Sequence, residues 1–398
     1  MEFPEPRIMH DLLVKNAQVY TGAGINARTL AVSGGRIAAV DCPEDAPARE
    51  TLDAGGRWLL PGFVDCHTHA LYAGDRMAEH LLKMQGASYA EIAGAGGGIL
   101  STVKAVRAAS EAGLIEQTLP RLEALAAEGV THVEIKSGYG LDLQNELKML
   151  RAIRALPRHI SLGITATFIG AHAVPPGTDR AAYMDEVLDR MLPAVAEEQL
   201  ADAVDIFVEH IAFQVGDLER LAERAAKLGL KLRAHTDQLS NLGGTRRAAE
   251  LGARSCDHLE YMDEADARAM GEAGTVAVLL PAAFYFLKET RKPPLDLLRR
   301  HRVPLAVATD LNPGTSPVPS LHTAMHLAGM LFGLSAEELL AGVTANAARA
   351  LGLEGRIGAL AAGADADFCL WDIPGPGFFS YQLGGIRPVQ RFCKGKRA

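Results

Sequence analysis

The chain has 398 residues, 48% hydrophobic and 22% charged, with 48 acidic against 40 basic side chains and a formal net charge of −8. This is globular composition with apolar material for a large core. It excludes a basic footprint for nucleic acid and a polybasic membrane anchor, and no apolar run reaches membrane-spanning length.

The N-terminus has no apolar signal core after a basic start. The cysteines Cys42, Cys66, Cys256, Cys369 and Cys393 are scattered and form no C-x-x-C pair. A reduced, cytoplasmic protein is therefore expected.

Residues 10–60 read as short strands and turns. Leu12 to Tyr20 reads as one strand, and Gly34-Gly35 punctuates a hairpin between Leu30–Val32 and Arg36–Val40. The apolar run that begins at Leu59 reads as a buried strand leading into His67-Thr68-His69, with the first barrel strand at 62–65. The Gly-rich stretch 94–98 follows no clear strand, so it reads as a mobile loop and not as a phosphate-binding turn. Further strands are expected at 130–136, 164–169, 204–208, 230–235, 255–259, 276–280 and 304–309. Most are followed by amphipathic helical segments, among them 142–155, 180–198, 217–228 and 263–273. Eight alternating units predict a (β/α)8 barrel in place of a doubly wound sheet. Short apolar strands return at 367–371 and 389–393. Neither chain end carries enough strand to be stable alone, so both are expected to join in one small β-sandwich domain. The predicted division is 1–61 and 356–398 for that domain and 62–355 for the barrel.

Barrel active sites lie at the carboxyl ends of the strands. Those ends read His67/His69, Lys136, His172, Glu209/His210, His235, His258, Pro281 and Asp310. On a strand, residues i and i+2 share a side. His67 and His69 can thus converge on one ion, with Cys66 turned away. Together with His235 and Asp310 they make three nitrogens and one carboxylate, a donor set for Zn²⁺ or Fe²⁺ with an open position for an activated water. Taken alone, His235 also reads as a core histidine and Asp310 as a turn aspartate. Lys136 reads as a strand-end lysine whose stem is buried and whose head reaches solvent. His10, His80, His159, His301 and His326 fall outside strand ends.

This pattern of His-x-His on the first barrel strand, histidines ending the fifth and sixth, and an aspartate ending the eighth resembles the amidohydrolase superfamily. Longer strings narrow the resemblance to the imidazolonepropionase family over essentially the whole chain. They are His67-Thr68-His69 with Gly74-Asp75-Arg76, Lys136 to Gly140, Phe168 to Pro175, His235 to Gly244, and Thr309 to Thr315. The resemblance implies hydrolysis of a ring C–N bond of 4-imidazolone-5-propanoate to N-formimidoyl-L-glutamate in histidine degradation.

It also implies one Zn²⁺ or Fe²⁺/Fe³⁺ ion per subunit and a homodimer. Many superfamily members end strand four with a carbamylated lysine that bridges two metals, whereas this chain has Glu209-His210 there, which points to one ion. The catalytic candidates are Asp310, His258 and Gln238. The family contacts substrate at position 238, but glutamine cannot accept a proton at neutral pH. Asp310 is therefore the preferred proton acceptor, and His258 orients the water or stabilises the oxyanion, with a buried structural role as its alternative. Arg76 matches the anchor of the propionate, since guanidinium grips carboxylate with two parallel hydrogen bonds. Tyr139 and His172 carry over as substrate contacts, while Asn312, Gly314 and Thr315 offer donors to the product carboxylates. Two other readings stay open: a mononuclear amidohydrolase of a different cyclic amide or nucleobase, and a non-enzymatic barrel with a structural metal.

Overall fold

The computed structural model describes residues 9–22, 25–86 and 97–398. The N-terminal segment supplies β1 (His10–Lys15), β2 (Gln18–Tyr20), β3 (Ile25–Ala27), β4 (Leu30–Ser33), β5 (Arg36–Val40), β6 (Ala48–Asp53) and β7 (Trp58–Pro61). Strands β5-β4-β1-β6 form one four-stranded sheet. The stretch from Leu12 to Tyr20 is two strands and not the single one expected. Asn16 turns the chain with φ 53°, which asparagine tolerates, and sends β1 and β2 into different sheets.

The first barrel strand falls within the expected span 62–65. The apolar run from Leu59 to Val64 is split between β7, in the small domain, and β8 (Phe63–Asp65), the first barrel strand. Gly62 is the point of exchange. Its N–H donates to Asp367 O at 2.9 Å, whereas the Phe63 N–H already donates to Gly129 O at 3.0 Å. A Cβ at Gly62 would collide with Thr131, so only glycine lets the chain pass this close to the next strand.

The barrel continues through β9 (Val130–Lys136), β10 (Gly163–Ala171), β11 (Ala203–Val208), β12 (Lys231–Leu232), β13 (Ala234–Thr236), β14 (Ser255–His258), β15 (Val276–Leu279) and β16 (Leu305–Val307). All neighbours along the path from β8 to β16 pair in parallel, with β12 and β13 together filling the fifth place. Most of these residues are buried, as a parallel sheet sheathed by helices requires. The ring closes just beyond the strand ends: Asp310 N–H donates to His67 O at 3.1 Å and His69 N–H to Leu311 O at 2.9 Å. The (β/α)8 fold expected from the alternation is therefore present.

Expected helices at 142–155 and 263–273 appear as Leu143–Ala155 and Glu264–Ala273, capped by the side chains of Asp142 and Asp263. The segment 180–198 is less regular than expected. A π-helical turn over Val187–Met191 separates Arg180–Glu186 from Leu192–Glu197, where Pro193 lacks a donor for the preceding turn. In the Gly-rich stretch, residues 94–96 lie outside the described residues, and Gly98 precedes a helix over Ile99–Ala108.

The C-terminus adds β17 (Phe368–Trp371), β18 (Gln390–Cys393) and β19 (Lys396–Arg397), which join β7, β2 and β3 in the order β19-β18-β17-β7-β2-β3. The two chain ends thus share one sheet. Their common core holds Leu12, Val14, Leu30, Leu59, Phe368 and Phe392.

Candidate metal centre and substrate cleft

The C-terminal ends of the barrel strands bring the predicted ligands together. Ligand nitrogens of His67, His69 and His235 all lie within 4.8 Å of one another, and all three side chains are buried. His235 Nε2 is 3.4 Å from His69 Nε2, and Asp310 Oδ1 is 3.5 Å from His67 Nε2 and 3.8 Å from His69 Nε2. His67 Nε2 and His69 Nδ1 are buried without a hydrogen-bond partner among the described residues. Such groups are costly unless something accepts their lone pairs. Burial drives the basicity of His67 and His69 well below the ordinary histidine value and keeps them neutral, the form that ligates metal. Burial pushes the Asp310 carboxyl up to about 7, against the opposing pull of His235. The residues present fit a divalent transition-metal ion.

The backbone at this rim is unusual. Asp237, His258, Leu259 and Asp310 have φ of 54°, 80°, 76° and 50°. Non-glycine residues adopt this region rarely, and its cost of about 1–3 kcal/mol each is tolerated where surrounding structure enforces it, often at functional sites. His258 is buried, with its ring 5.5 Å from that of His235 and 6.1 Å from that of His67, and burial also keeps it neutral.

The strand interiors hold charged groups that reading strand ends alone overlooked. Asp257 Oδ2 accepts from His67 Nδ1 at 2.6 Å and Asp205 Oδ1 from His235 Nδ1 at 3.0 Å. Each carboxylate fixes its imidazole with Nε2 turned toward the cluster. Lys136 does not reach solvent as expected. It is fully buried, donating to Glu134 Oε1 at 2.9 Å and Asp205 Oδ2 at 2.7 Å. Arg233 Nη1 lies 2.9 Å from Glu134 Oε1, and its Nη2 lies 3.7 Å from Asp257 Oδ2. Burial works against the Asp205 carboxylate, but His235, Lys136 and Arg233 outweigh it and hold it well below the usual range. Glu209 is spoken for locally: it accepts from the N–H groups of Leu239 at 2.9 Å and Ser240 at 3.1 Å, and from the Ser240 hydroxyl. Cys66 points away from the histidines into an apolar cluster with Val276 and Ala306.

The other candidates surround this centre. The His172 ring stacks on His69 at 4.9 Å and 16°. His172 Nδ1 donates to Gly138 O at 3.0 Å, leaving Nε2 available. Tyr139 is buried beside both, 5.9 Å from His69 and 5.5 Å from His172 by ring centroids. Its turn is held by Glu146, another residue the sequence reading missed, which accepts from the N–H groups of Gly138, Gly140 and Leu141 at 3.0, 2.7 and 3.0 Å. Gln238 is half-buried on the turn after His235, and its amide bonds to no described residue.

Arg76 is ion-paired with Glu79, Nη2 to Oε2 at 2.7 Å, and packs against Gly314, where a Cβ would collide with the guanidinium. A cleft of about 290 Å³ opens there, lined by Tyr72, Arg76, His80, Phe286, Pro313 and Gly314. Asn312 serves its own turn: Nδ2 donates to Asp310 O at 2.7 Å, while Oδ1 accepts from Gly314 N–H at 2.9 Å and Thr315 N–H at 2.7 Å. The donors expected to face product carboxylates are thus engaged with one another.

The amidohydrolase family model matches residues 92–382. The imidazolonepropionase of Shewanella amazonensis is 52% identical over 386 residues, covering 94% of this chain and 93% of the relative. That of Mesorhizobium japonicum is 56% identical over 340 residues, covering 85% and 83%. The chain belongs to the imidazolonepropionase family of amidohydrolases. The resemblance read from short strings extends to 94% of the chain. Among solved structures, a 5-methylcytosine deaminase from Klebsiella pneumoniae has a TM-score of 0.75 at 18% identity, covering 97% of this chain and 96% of that one. A zinc-bound adenosine deaminase from Xanthomonas campestris has a TM-score of 0.71 at 19% identity, covering 98% and 93%. At that identity they share the fold with the family, and fold alone does not carry substrate. Among the described residues, no helix is long and apolar enough to cross a membrane.

Proposed function

We infer that the protein hydrolyses a ring C–N bond of 4-imidazolone-5-propanoate to give N-formimidoyl-L-glutamate, in histidine degradation. The convergence of three imidazoles and one carboxylate at the barrel mouth carries this reading, in a chain 52% identical to an imidazolonepropionase over 94% of its length.

His67, His69, His235 and Asp310 are assigned as ligands of one zinc or iron ion. A bound ion of this kind supplies the Lewis acidity that brings a water's pKa toward neutrality. Asp310 takes the proton from the water that attacks the ring carbonyl carbon and delivers it to the departing nitrogen. His258 donates to the oxygen that gains charge in the tetrahedral state. Gln238 hydrogen-bonds the ring, since an amide neither gives nor takes a proton at neutral pH. Tyr139 and His172 Nε2 line the ring's seat. Asn312 positions Asp310 and the turn that carries Gly314 and Thr315, which form the wall beside the propionate. The same reading includes a homodimer and a cytoplasmic setting. The five cysteines are all free thiols, in keeping with a reducing compartment.

The direct test follows the loss of imidazolone ultraviolet absorbance with purified protein. Turnover is expected, with loss on chelation and recovery on adding Zn²⁺ or Fe²⁺. No turnover of this substrate by metal-loaded protein would overturn the assignment. Arg76→Ala checks the carboxylate anchor. A charge-assisted hydrogen bond contributes about 1.5–3 kcal/mol, so kcat/KM is expected to fall about 10- to 150-fold, mainly through KM. An unchanged kcat/KM would remove Arg76 from the site and favour a neutral substrate.

A further inference from the structure

A second set of cation-seeking groups lies directly against the first. Asp205, His235 and Asp257 are all buried and bring ligand atoms within 4.8 Å of one another. Glu134 adds a third buried carboxylate, and Asp257 Oδ1 is buried with no hydrogen-bond partner among the described residues. The three carboxylates at such spacing suit a divalent ion, with His235 held to them through Nδ1 and facing the first centre with Nε2. The chain places an ammonium there instead. Lys136 Nζ lies 2.7 Å from Asp205 Oδ2 and 2.9 Å from Glu134 Oε1, with its side chain wholly out of solvent.

We propose that Lys136 acts as a built-in counter-ion in a second cation site, occupying the corner between Asp205 and Glu134 and keeping a second divalent ion out. This rests on the reading of a metal at His67, His69, His235 and Asp310, and it accounts for why that centre holds a single ion. Three buried carboxylates cannot stay charged in an apolar barrel without cations. Among the described residues, Lys136 and Arg233 supply them. Lys136 is also a positioning residue. Asp205 gives Oδ2 to the ammonium and Oδ1 to His235 Nδ1 at 3.0 Å. That division keeps the His235 proton on Nδ1 and leaves Nε2 facing His69.

Lys136→Met keeps the stem's bulk and removes the charge. Wild-type protein and the variant are each incubated with excess Co²⁺, desalted, analysed for metal per chain, and compared by visible absorption. The variant is expected to retain about one Co²⁺ more than the wild type, with a new d–d band. Equal counts overturn the proposal, as does a wild type that already holds two. A wild type that retains none sinks the primary metal reading instead, so the two failures are distinct. Should the variant be isolated unfolded, it is refolded with and without Co²⁺. Recovery of native circular dichroism only with cobalt supports the substitution of one cation by another, and no recovery at any concentration overturns it.

Discussion

His67→Ala is expected to lose turnover by about a thousandfold or more while the barrel stays folded, since cation-assisted charge stabilisation contributes several kcal/mol to such reactions. His67 is central to the cluster. Its Nε2 is the buried, unpartnered nitrogen 3.5 Å from Asp310, and its Nδ1 is held by Asp257 at 2.6 Å. Removing the ring deletes one ligand and strands Asp257, at a stability cost of about 1–3 kcal/mol for an unsatisfied buried acceptor. Circular dichroism and metal analysis separate the two effects: native ellipticity with metal reduced below one per chain is the expected pair. Asp310→Asn sharpens the point, because an amide oxygen can still ligate but cannot take a proton. It should keep more metal than His67→Ala and lose comparable rate. Full activity in His67→Ala would exclude the proposed ligand set.

Much of this centre could be read in the sequence because parallel barrel strands are buried on both faces and appear as short apolar runs with polar residues at their ends. His67, His69, His235 and Asp310 each sit at such an end. The charged interior was harder to see. Glu134 precedes Lys136 by two residues, as Arg233 precedes His235, so each pair shares one side of its strand. A charge inside an apolar strand, in phase with a candidate ligand, was the available signal, and reading Lys136 as a surface lysine passed it over. The exchange of sheets at Gly62 was marked only by Pro61-Gly62, a punctuating dipeptide inside an otherwise unbroken apolar run. The left-handed backbone at Leu259 carries no sequence mark, because tertiary contacts impose it on a residue with no preference for it, and at His258 and Asp310 it falls on residue types that only tolerate it more readily than most. The self-contained hydrogen bonding of Asn312, Gly314 and Thr315 likewise appears only once the turn is built.

Trp371→Ala is expected to destabilise the protein by about 3–5 kcal/mol, the usual cost of emptying a large buried aromatic site. Trp371 ends β17 in the small domain yet is wholly buried against the barrel. Its ring stacks on Phe63 at 5.4 Å and meets Phe379 edge-on at 4.9 Å. Phe63 opens β8, four residues before His67 on the same short rigid segment. The two chain ends therefore do more than close a separate sheet, since through Trp371 they brace the base of the strand that presents the His-x-His pair. With an unfolding entropy of about 2.1 cal/mol/K per residue, the loss corresponds to a fall in Tm of roughly 4–6 °C. Trp371→Phe, which preserves the stack, should recover most of it. Because the contact lies at the base of β8 and the chemistry at its tip, kcat of the folded variant should stay within about twofold of wild type at 25 °C, less than the tenfold that 1.36 kcal/mol would produce. A melting temperature unchanged in Trp371→Ala would mean that the small domain does not support the barrel through this contact. A collapse of kcat with Tm preserved would place the residue's influence at the metal centre.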